Sequence, residues 1–328
     1  MATRIVIAGA STLLGAELKS LLEESRFAAA DFRLVDEELV AGTITEAAGE
    51  AAVIQTVEDD SFDRADIVFF TGSSVFTQAN LPLAQRSGAI VIDLSGALKA
   101  DSGTMAWFTN LELLQPSKIP AERKVFIIPS AAGIAACSLY LGLAKFNPEY
   151  LSFVALQPVS ESGKQGIEEL EHQTSQLLSF QSVGSPVFDT QVGFNVLDRF
   201  GLQSKMNLVA ARERLRGEVR SILGGSSRVP AVQLIHAPVF YGVGFTLSAK
   251  FAAAIDSAQL LAAVKSAGFH VMKDSAPSNV SVAGESLVQL AVPEEESLAQ
   301  DTCWFWGAAD NIRLPAYNAV KLAEKLLA

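Results

Sequence analysis

Apolar residues in the first 130 positions fall into short continuous runs separated by helix-like segments. "TRIVIAGASTLLGAELKSLLEES" reads as strand, glycine turn and helix. Its strand is apolar at every position, as a parallel strand covered on both faces should be. Its helix places Leu14, Leu18, Leu21 and Leu22 at helical spacing. "FRLVD", "ADIVFFTGSS", "GAIVIDLSG" and "KVFIIPS" are four more buried strands, and "FTQANLPLAQRSG" is a helix between two of them. Strands alternating with helices predict a doubly wound parallel sheet with right-handed crossovers.

The pattern changes after residue 130. "YLSFVALQPVS" predicts a long strand, and "GIEELEHQTSQLLS" and "AARERLRGEVRSIL" predict amphipathic helices, the latter with opposite charges at i, i+4 spacing. "AVQLIHAPVFYGVGFTLSAKF" holds two longer strands around a Tyr-Gly turn. "SAQLLAAVKSAG" is a helix, and "FWGAADNIRLPAYNAVKLAEKLL" runs from a strand into a final helix. The expected organisation is an α/β domain over 1–130, completed by the helix at 314–328, and an α+β domain over 131–313. No internal repeat or low-complexity tract interrupts it.

Composition narrows the class. Apolar residues make up 49% of the 328-residue chain and charged residues 19%, which describes a globular protein. A formal net charge of −11 and the lack of a dense basic cluster argue against nucleic acid and anionic membrane as partners. Two cysteines, Cys137 and Cys303, form no disulfide framework or zinc spacing, and three histidines far apart make a metal site unexpected. The N-terminus lacks a signal-peptide pattern. The most apolar window, 125–144, contains a proline, glycines and serines and reads as strand, turn and helix rather than a membrane span. A soluble, cytoplasmic protein is expected.

"GASTLLG" sets Gly9 and Gly15 six apart between a strand and a helix, as in a Rossmann-like dinucleotide fold. The middle glycine of that pattern is Thr12, whose side chain is expected to narrow the space for a phosphate. Asp36, Glu37 and Glu38 follow the second strand. An acid there accepts a ribose 2′-hydroxyl and repels a 2′-phosphate. If a dinucleotide binds, NAD is favoured over NADP.

A second turn, "FIIPSAAGIAACS", joins a strand to a helix, where nucleophiles are often presented. Together with "IVIAGASTLLG", "DIVFFTGSSVF", "GAIVIDLSGAL", "QPVSESGKQGIEELEHQT", "GFNVL", "GEVRSIL", "APVFYGVGF" and "ADNIRLPAYNAVKLAEKLL", it gives nearly the whole chain a likeness. The sequence resembles the aspartate-semialdehyde dehydrogenase family, and within it the USG-1-like branch that lacks the catalytic cysteine. The resemblance implies a dimerisation domain with an open mixed sheet and a homodimer. The family's activity is NADP-linked reduction of an acyl phosphate to a semialdehyde in amino-acid biosynthesis. A cysteine thiolate forms a thioester, hydride gives a thiohemiacetal, a histidine moves protons, and arginines hold carboxylate and phosphate. A thiolate suits this step because it is strongly nucleophilic near neutral pH and leaves readily.

On these motifs the family nucleophile falls on Ala131, beside Ser130, and the acid–base histidine falls on Val243 between Gly242 and Gly244. The arginine that grips carboxylate falls on His236. The family's substrate-binding glutamate and lysine fall on Ala211 and Arg214, and its phosphate-binding arginine on Lys99. Gln157 matches a glutamine near the thioester. Gly9, Ser11, Thr12, Leu13, Gly15, Asp36 and Asn318 are the candidate cofactor contacts, and Lys99, Arg214 and His236 the candidate substrate pocket. Ser130 reads as a cap of the following helix, and Cys137 and Cys303 as small core residues. With nucleophile and acid–base group both missing, the expectation is a non-catalytic dimer whose dinucleotide binding is weak or absent and whose remaining polar groups take a small ligand or partner. An active NAD(P)-dependent oxidoreductase is the alternative, and an interaction subunit working through its dimer surface is a third.

Overall fold

The computed structural model describes residues 3–47, 50–101, 103–116, 118–224, 229–296 and 299–328. The chain forms two compact units, the first from residues 1–112, 116–130 and 315–328, the second from 113–115 and 131–314.

The first unit is built on β1 (Arg4–Ala8), α1 (Leu13–Glu23), β2 (Asp31–Asp36), β3 (Ile44–Ala47), β4 (Glu50–Val53), β5 (Gln55–Thr56), β6 (Ile67–Phe70), α2 (Ser74–Arg86), β7 (Ile90–Asp93), β8 (Met105–Ala106), α3 (Thr109–Leu114) and β9 (Val125–Ile127). Seven strands form one sheet in the order β5-β2-β1-β6-β7-β9-β8, and every pairing is parallel. Ile5 to Ala8 and Ile67 to Phe70 are all fully buried, which is why these strands read as unbroken apolar runs. The order reverses at β1, with β2 on one side and β6 on the other, so the crevice beyond their C-terminal ends is the ligand position of a doubly wound sheet. β3 and β4 form a separate antiparallel hairpin that the apolar pattern did not announce, because it is short and mostly polar or alanine.

The second unit contains α4 (Ala131–Leu143), β10 (Tyr150–Gln157), α5 (Gly163–Leu178), α6 (Leu208–Ile222), β11 (Ala231–His236), β12 (Val243–Lys250), α7 (Ser257–Ser266), β13 (His270–Met272), β14 (Gln289–Ala291), β15 (Glu294–Glu295) and β16 (Thr302–Ala309). α8 (Arg313–Leu326) follows and lies almost wholly in the first unit. The mixed sheet runs β11-β10-β12-β16-β14-β13, with β15 also on β16. The two strands expected around the Tyr-Gly turn do not pair with each other: β10 lies between them, parallel to β11 and antiparallel to β12. Their connection instead hydrogen-bonds along the segment after β10, where the amides of Val159 and Ser160 donate to the carbonyls of Val239 and Phe240 at 3.0 and 3.1 Å. β11, β10, β12 and β16 bury alternate residues, and α4 packs against α6, α7 and the central strands of this sheet. The apolar window at 125–144 is thus a short strand, a turn and a buried helix. Among the described residues no helix is long and apolar enough to cross a membrane.

Candidate functional site

The glycine turn after β1 is held tightly. Gly9 has φ +100°, and a Cβ on it would lie 2.2 Å from the amide nitrogen of Gly72 in the β6–α2 loop. A Cβ on Gly15 would lie 2.3 Å from the carbonyl oxygen of Gly9. Both glycines are therefore required by close backbone packing, whether or not a ligand binds. Thr12, expected to narrow the space for a phosphate with its side chain, is engaged within the turn. Its hydroxyl caps α1 by accepting the Gly15 amide at 2.9 Å, and shares its proton between the carbonyls of Gly9 and Thr71 at 2.8 and 3.1 Å. The hydroxyl is thereby folded back onto the turn. The amides of Leu13 and Leu14 open the helix with no intrahelical acceptor, an arrangement suited to a pyrophosphate.

Asp36, expected as a ribose acceptor, is engaged by the backbone. It is 5% exposed, and its two oxygens accept the amides of Ser11 at 2.7 Å and Glu37 at 2.8 Å. Its carboxylate shapes the glycine turn from below. Asn318 in α8 is also internal rather than cofactor-facing: it is fully buried, and its Oδ1 accepts the amide and the hydroxyl of Thr109 at 2.8 and 3.1 Å. Lys99 is exposed in the loop after β7. That loop is organised by buried Asp93, which accepts the amides of Ser95 and Leu98 at 2.8 and 2.9 Å and the Ser95 hydroxyl at 2.6 Å. Burial raises the Asp93 carboxyl above the usual range, and these hydrogen bonds offset part of that rise.

In the second unit, Ala131 is the first residue of α4 and is 1% exposed, and Ser130 immediately precedes the helix. A buried methyl group stands at the helix start where the resemblance places a thiolate. Cys137, further along α4, has no exposure, and burial drives its thiol far above the ordinary value. Cys303 on β16 is likewise buried and shifted upward, first by burial and then by Glu295. Neither thiol can ionise readily.

The strand register gathers three of the candidate positions. Gln157 pairs with His236, and Leu156 pairs with Gly244, which sets Gln157 opposite Val243. His236, Gln157 and Val243 thus form one rung across β11, β10 and β12. Val243 is buried and offers no proton. His236 is a core residue rather than a pocket wall. It is 1% exposed, and its ring packs beside Phe188 and Phe200 at centroid distances of 6.2 and 5.5 Å. Nε2 lies 3.4 Å from the carbonyl of Val192, and Nδ1 has no partner among the described residues. Burial pushes its pKa below 6.5.

A polar cluster at the same end of the sheet was not singled out from the sequence. Asn311, 5% exposed, follows β16, and its Oδ1 accepts the Gly242 amide at 2.9 Å. Its Nδ2 donates to the Ser160 hydroxyl at 3.1 Å and to Glu161 Oε1 at 3.0 Å. One asparagine therefore ties together the chain after β10, before β12 and after β16. Glu161 still reaches solvent, yet its crowded surroundings strip enough hydration to raise its carboxyl above the ordinary range. The positive charge of Arg214 and the Asn311 hydrogen bond pull it back. Arg214 is exposed on α6, and Ala211, one turn earlier, contributes only a methyl group. Glu161 places a carboxylate near this arginine from a different element. Its partners lie 53 and 150 positions away in sequence, so no local motif marks it. Among the described residues there is no group of three or more His, Cys, Asp or Glu placed to hold a metal ion.

Comparison with known proteins places this geometry. The model of the semialdehyde dehydrogenase NAD binding domain matches residues 4–152, and that of the semialdehyde dehydrogenase dimerisation domain matches residues 141–314. A USG-1 protein homolog from Azotobacter vinelandii is 30% identical over 335 residues, covering 98% of this chain and 97% of its own length. An aspartate-semialdehyde dehydrogenase from Rickettsia bellii is 25% identical over 98% of this chain and 97% of its own length. The solved structure of a probable aspartate-semialdehyde dehydrogenase from Pseudomonas aeruginosa covers the whole chain, and 99% of itself, with TM-score 0.88 at 24% identity. At that identity the likeness speaks to the fold.

Proposed function

The chain belongs to the semialdehyde dehydrogenase family, and from that premise we propose that it is a non-catalytic member: a homodimer that keeps a nucleotide site and a small-ligand pocket but not the thioester chemistry. The observation that carries this reading is Ala131, a buried methyl group at the start of α4 with both cysteines of the chain buried elsewhere. Acyl transfer through sulfur needs an accessible thiolate, and a serine in its place needs a base and an oxyanion hole. Val243, on the rung of Gln157 and His236, offers no proton where the resemblance places the acid–base histidine. Losing one member of a catalytic unit already costs several orders of magnitude in rate.

What is retained favours binding. The amides at the start of α1 suit a pyrophosphate, and the acidic end of β2 favours NAD over NADP. Gln157, Glu161 and Arg214 give the second unit polar groups of both signs for a small ligand. The alternative, an oxidoreductase without a covalent intermediate, draws on Glu161, a carboxyl whose Oε1 accepts the Asn311 amide at 3.0 Å near the sheet end where Val243 replaces the proton carrier.

The test is a rate measurement. Purified protein is expected to show no phosphate-dependent, NADP-linked oxidation of aspartate semialdehyde above background. Turnover of even a few per second lies in the ordinary enzyme range of about 1–1,000 per second and would overturn the proposal.

A further inference from the structure

α6 carries three arginines one turn apart, Arg212, Arg216 and Arg220. Like charges at this spacing repel along a helix, so each calls for a counterpart. Arg212 Nη1 donates to Gln233 Oε1 at 2.9 Å. Arg216 Nε donates to the carbonyl of Val232 at 2.9 Å, and its Nη1 to Glu213 Oε1 at 2.6 Å. Both arginines are thereby tied to β11, the edge strand of the second sheet. Arg220 is exposed, and its side chain has no partner among the described residues. With Arg216, Ser152 and the chain at 229–233 it lines an open cleft of about 530 Å³ between α6 and β11. Ser152 stands beside Ala231 in the register, and its hydroxyl also has no partner among the described residues. The acid in the cleft wall, Glu213, is taken by Arg216. The cleft thus keeps a positive charge in excess, in a chain whose net charge is −11.

We propose that this cleft binds the phosphate group of a small phosphorylated molecule, with Arg220 as its principal contact. A guanidinium presents a planar fork of donors that matches two phosphate oxygens at once. Arg216 is already held by Val232 and Glu213, so offering its remaining Nη2 costs little further side-chain freedom. The two guanidinium groups face the cleft from the helix, and the Ser152 hydroxyl faces it from the sheet. Donors converging from both walls suit a tetrahedral group with three free oxygens better than a planar carboxylate with two. This cleft is separate from the cluster of Glu161, Asn311 and Arg214. Arg214 lies two residues before Arg216, about 200° round the helix, and so points to another side of α6. The proposal therefore depends neither on the nucleotide reading nor on whether the chain is catalytic.

Calorimetric titration of inorganic phosphate into the full chain and its Arg220→Gln and Lys99→Gln variants tests this, with acetate as the planar comparison. Ionic strength is held constant, because salt screens exposed charges. Wild type is expected to bind phosphate saturably, with a dissociation constant of about 1 mM, and to bind acetate more weakly. Arg220→Gln should weaken phosphate by about tenfold or more, the scale of a hydrogen bond to a charged group. Lys99→Gln changes the position that the resemblance gives to the family's phosphate-binding arginine, and it should leave the affinity as it is. Arg220 is exposed and holds no other side chain, so its variant is expected to fold, with an unchanged melting temperature as the check. Absence of saturable binding to wild type overturns the proposal. So does equal affinity for acetate and phosphate, or an affinity unchanged in Arg220→Gln. A loss in Lys99→Gln as large as that in Arg220→Gln overturns it too.

Discussion

A histidine whose ring lies among phenylalanines, with one nitrogen unpaired among the described residues, makes a fold sensitive to acid. His236 is held neutral by burial, so its folded pKa lies below that of the unfolded chain. Between those two values the unfolded state binds more protons, and stability rises with pH. The contribution is complete above about pH 6.5, and it is lost as pH falls from there toward the folded pKa. The slope from this one group is at most about 1.4 kcal/mol per pH unit. His236→Leu should therefore flatten the stability difference between pH 7.5 and pH 5.5, measured by urea unfolding of both proteins at each pH. An unchanged slope would show that other groups govern the acid limb. At this scale the sequence was informative about absence and weak about placement. That Ala131 and Val243 lack the chemistry of a thiol and an imidazole is a property of their side chains and needed no structure. Whether His236, Asp36 and Asn318 face a ligand or the core depends on partners such as Phe200, Ser11 and Thr109, which no local pattern names.

α5 shows how an element can organise a segment that has no regular structure. Its apolar stripe was legible at helical spacing, but its buried polar residues carry the long 179–207 connection. Gln173 has no exposure, and its Oε1 accepts the amides of Val192 and Gly193 at 2.7 and 3.0 Å. Its Nε2 donates among Glu169 and the carbonyls of Gly184 and Thr190 at 3.1 to 3.2 Å. Glu169 accepts the amides of Val187 and Phe188 in the same way. Two side chains on one helix face thus replace the backbone ladder that the connection lacks. Gln173→Leu would leave buried amides unpaired, each at a cost of about 1–3 kcal/mol. The expected result is a loss of roughly 2–4 kcal/mol in denaturant unfolding, with hydrogen exchange rising first at 184–193. A loss below about 0.5 kcal/mol, the level of an ordinary surface substitution, would mean that water or a shifted backbone satisfies the segment instead. The strands the apolar pattern missed, β3, β4, β5, β8, β13, β14 and β15, have two to four residues each. Such strands carry too few alternating positions to establish a period, and it is their pairing that defines them.

For the whole molecule, the outstanding surface is the face of the second sheet opposite α4. Tyr150, Trp304 and Trp306 are 56%, 41% and 39% exposed there, with Val154, Leu156 and Ile235 half-buried among them. The register sets Thr246 against Trp306 and Ser248 against Trp304, so these residues form a continuous apolar and small-polar face. An exposed face of this kind marks an association site. In a chain carrying the family's dimerisation domain, it should meet its own copy about a twofold axis. The wild type is expected to be a dimer and the variant with both Trp304 and Trp306 replaced by glutamate a monomer, read as molecular mass by light scattering after size exclusion. A double variant that remains dimeric would locate the interface elsewhere.

The order of the main strands and helices and the parallel character of the first sheet are consequences of the amino-acid sequence read locally, as are the methyl group at Ala131 and the apolar side chain at Val243. Burial on both faces writes itself into continuous apolar runs, and a side chain either has a reactive group or lacks one. The tertiary structure decided which strand lies between β11 and β12, that Thr12 caps its helix, that His236 belongs to the core, and that Glu161, Asn311 and Arg214 gather at one end of the sheet. It also decided that Asp36 is buried on backbone amides while exposed Glu37 accepts the Ser73 hydroxyl. Apart from the Thr12 cap on Gly15 and the Asp36 bond to Glu37, these depend on groups tens to hundreds of positions apart meeting within hydrogen-bond or charge range. Backbone register and packing set such meetings, and the local sequence pattern does not.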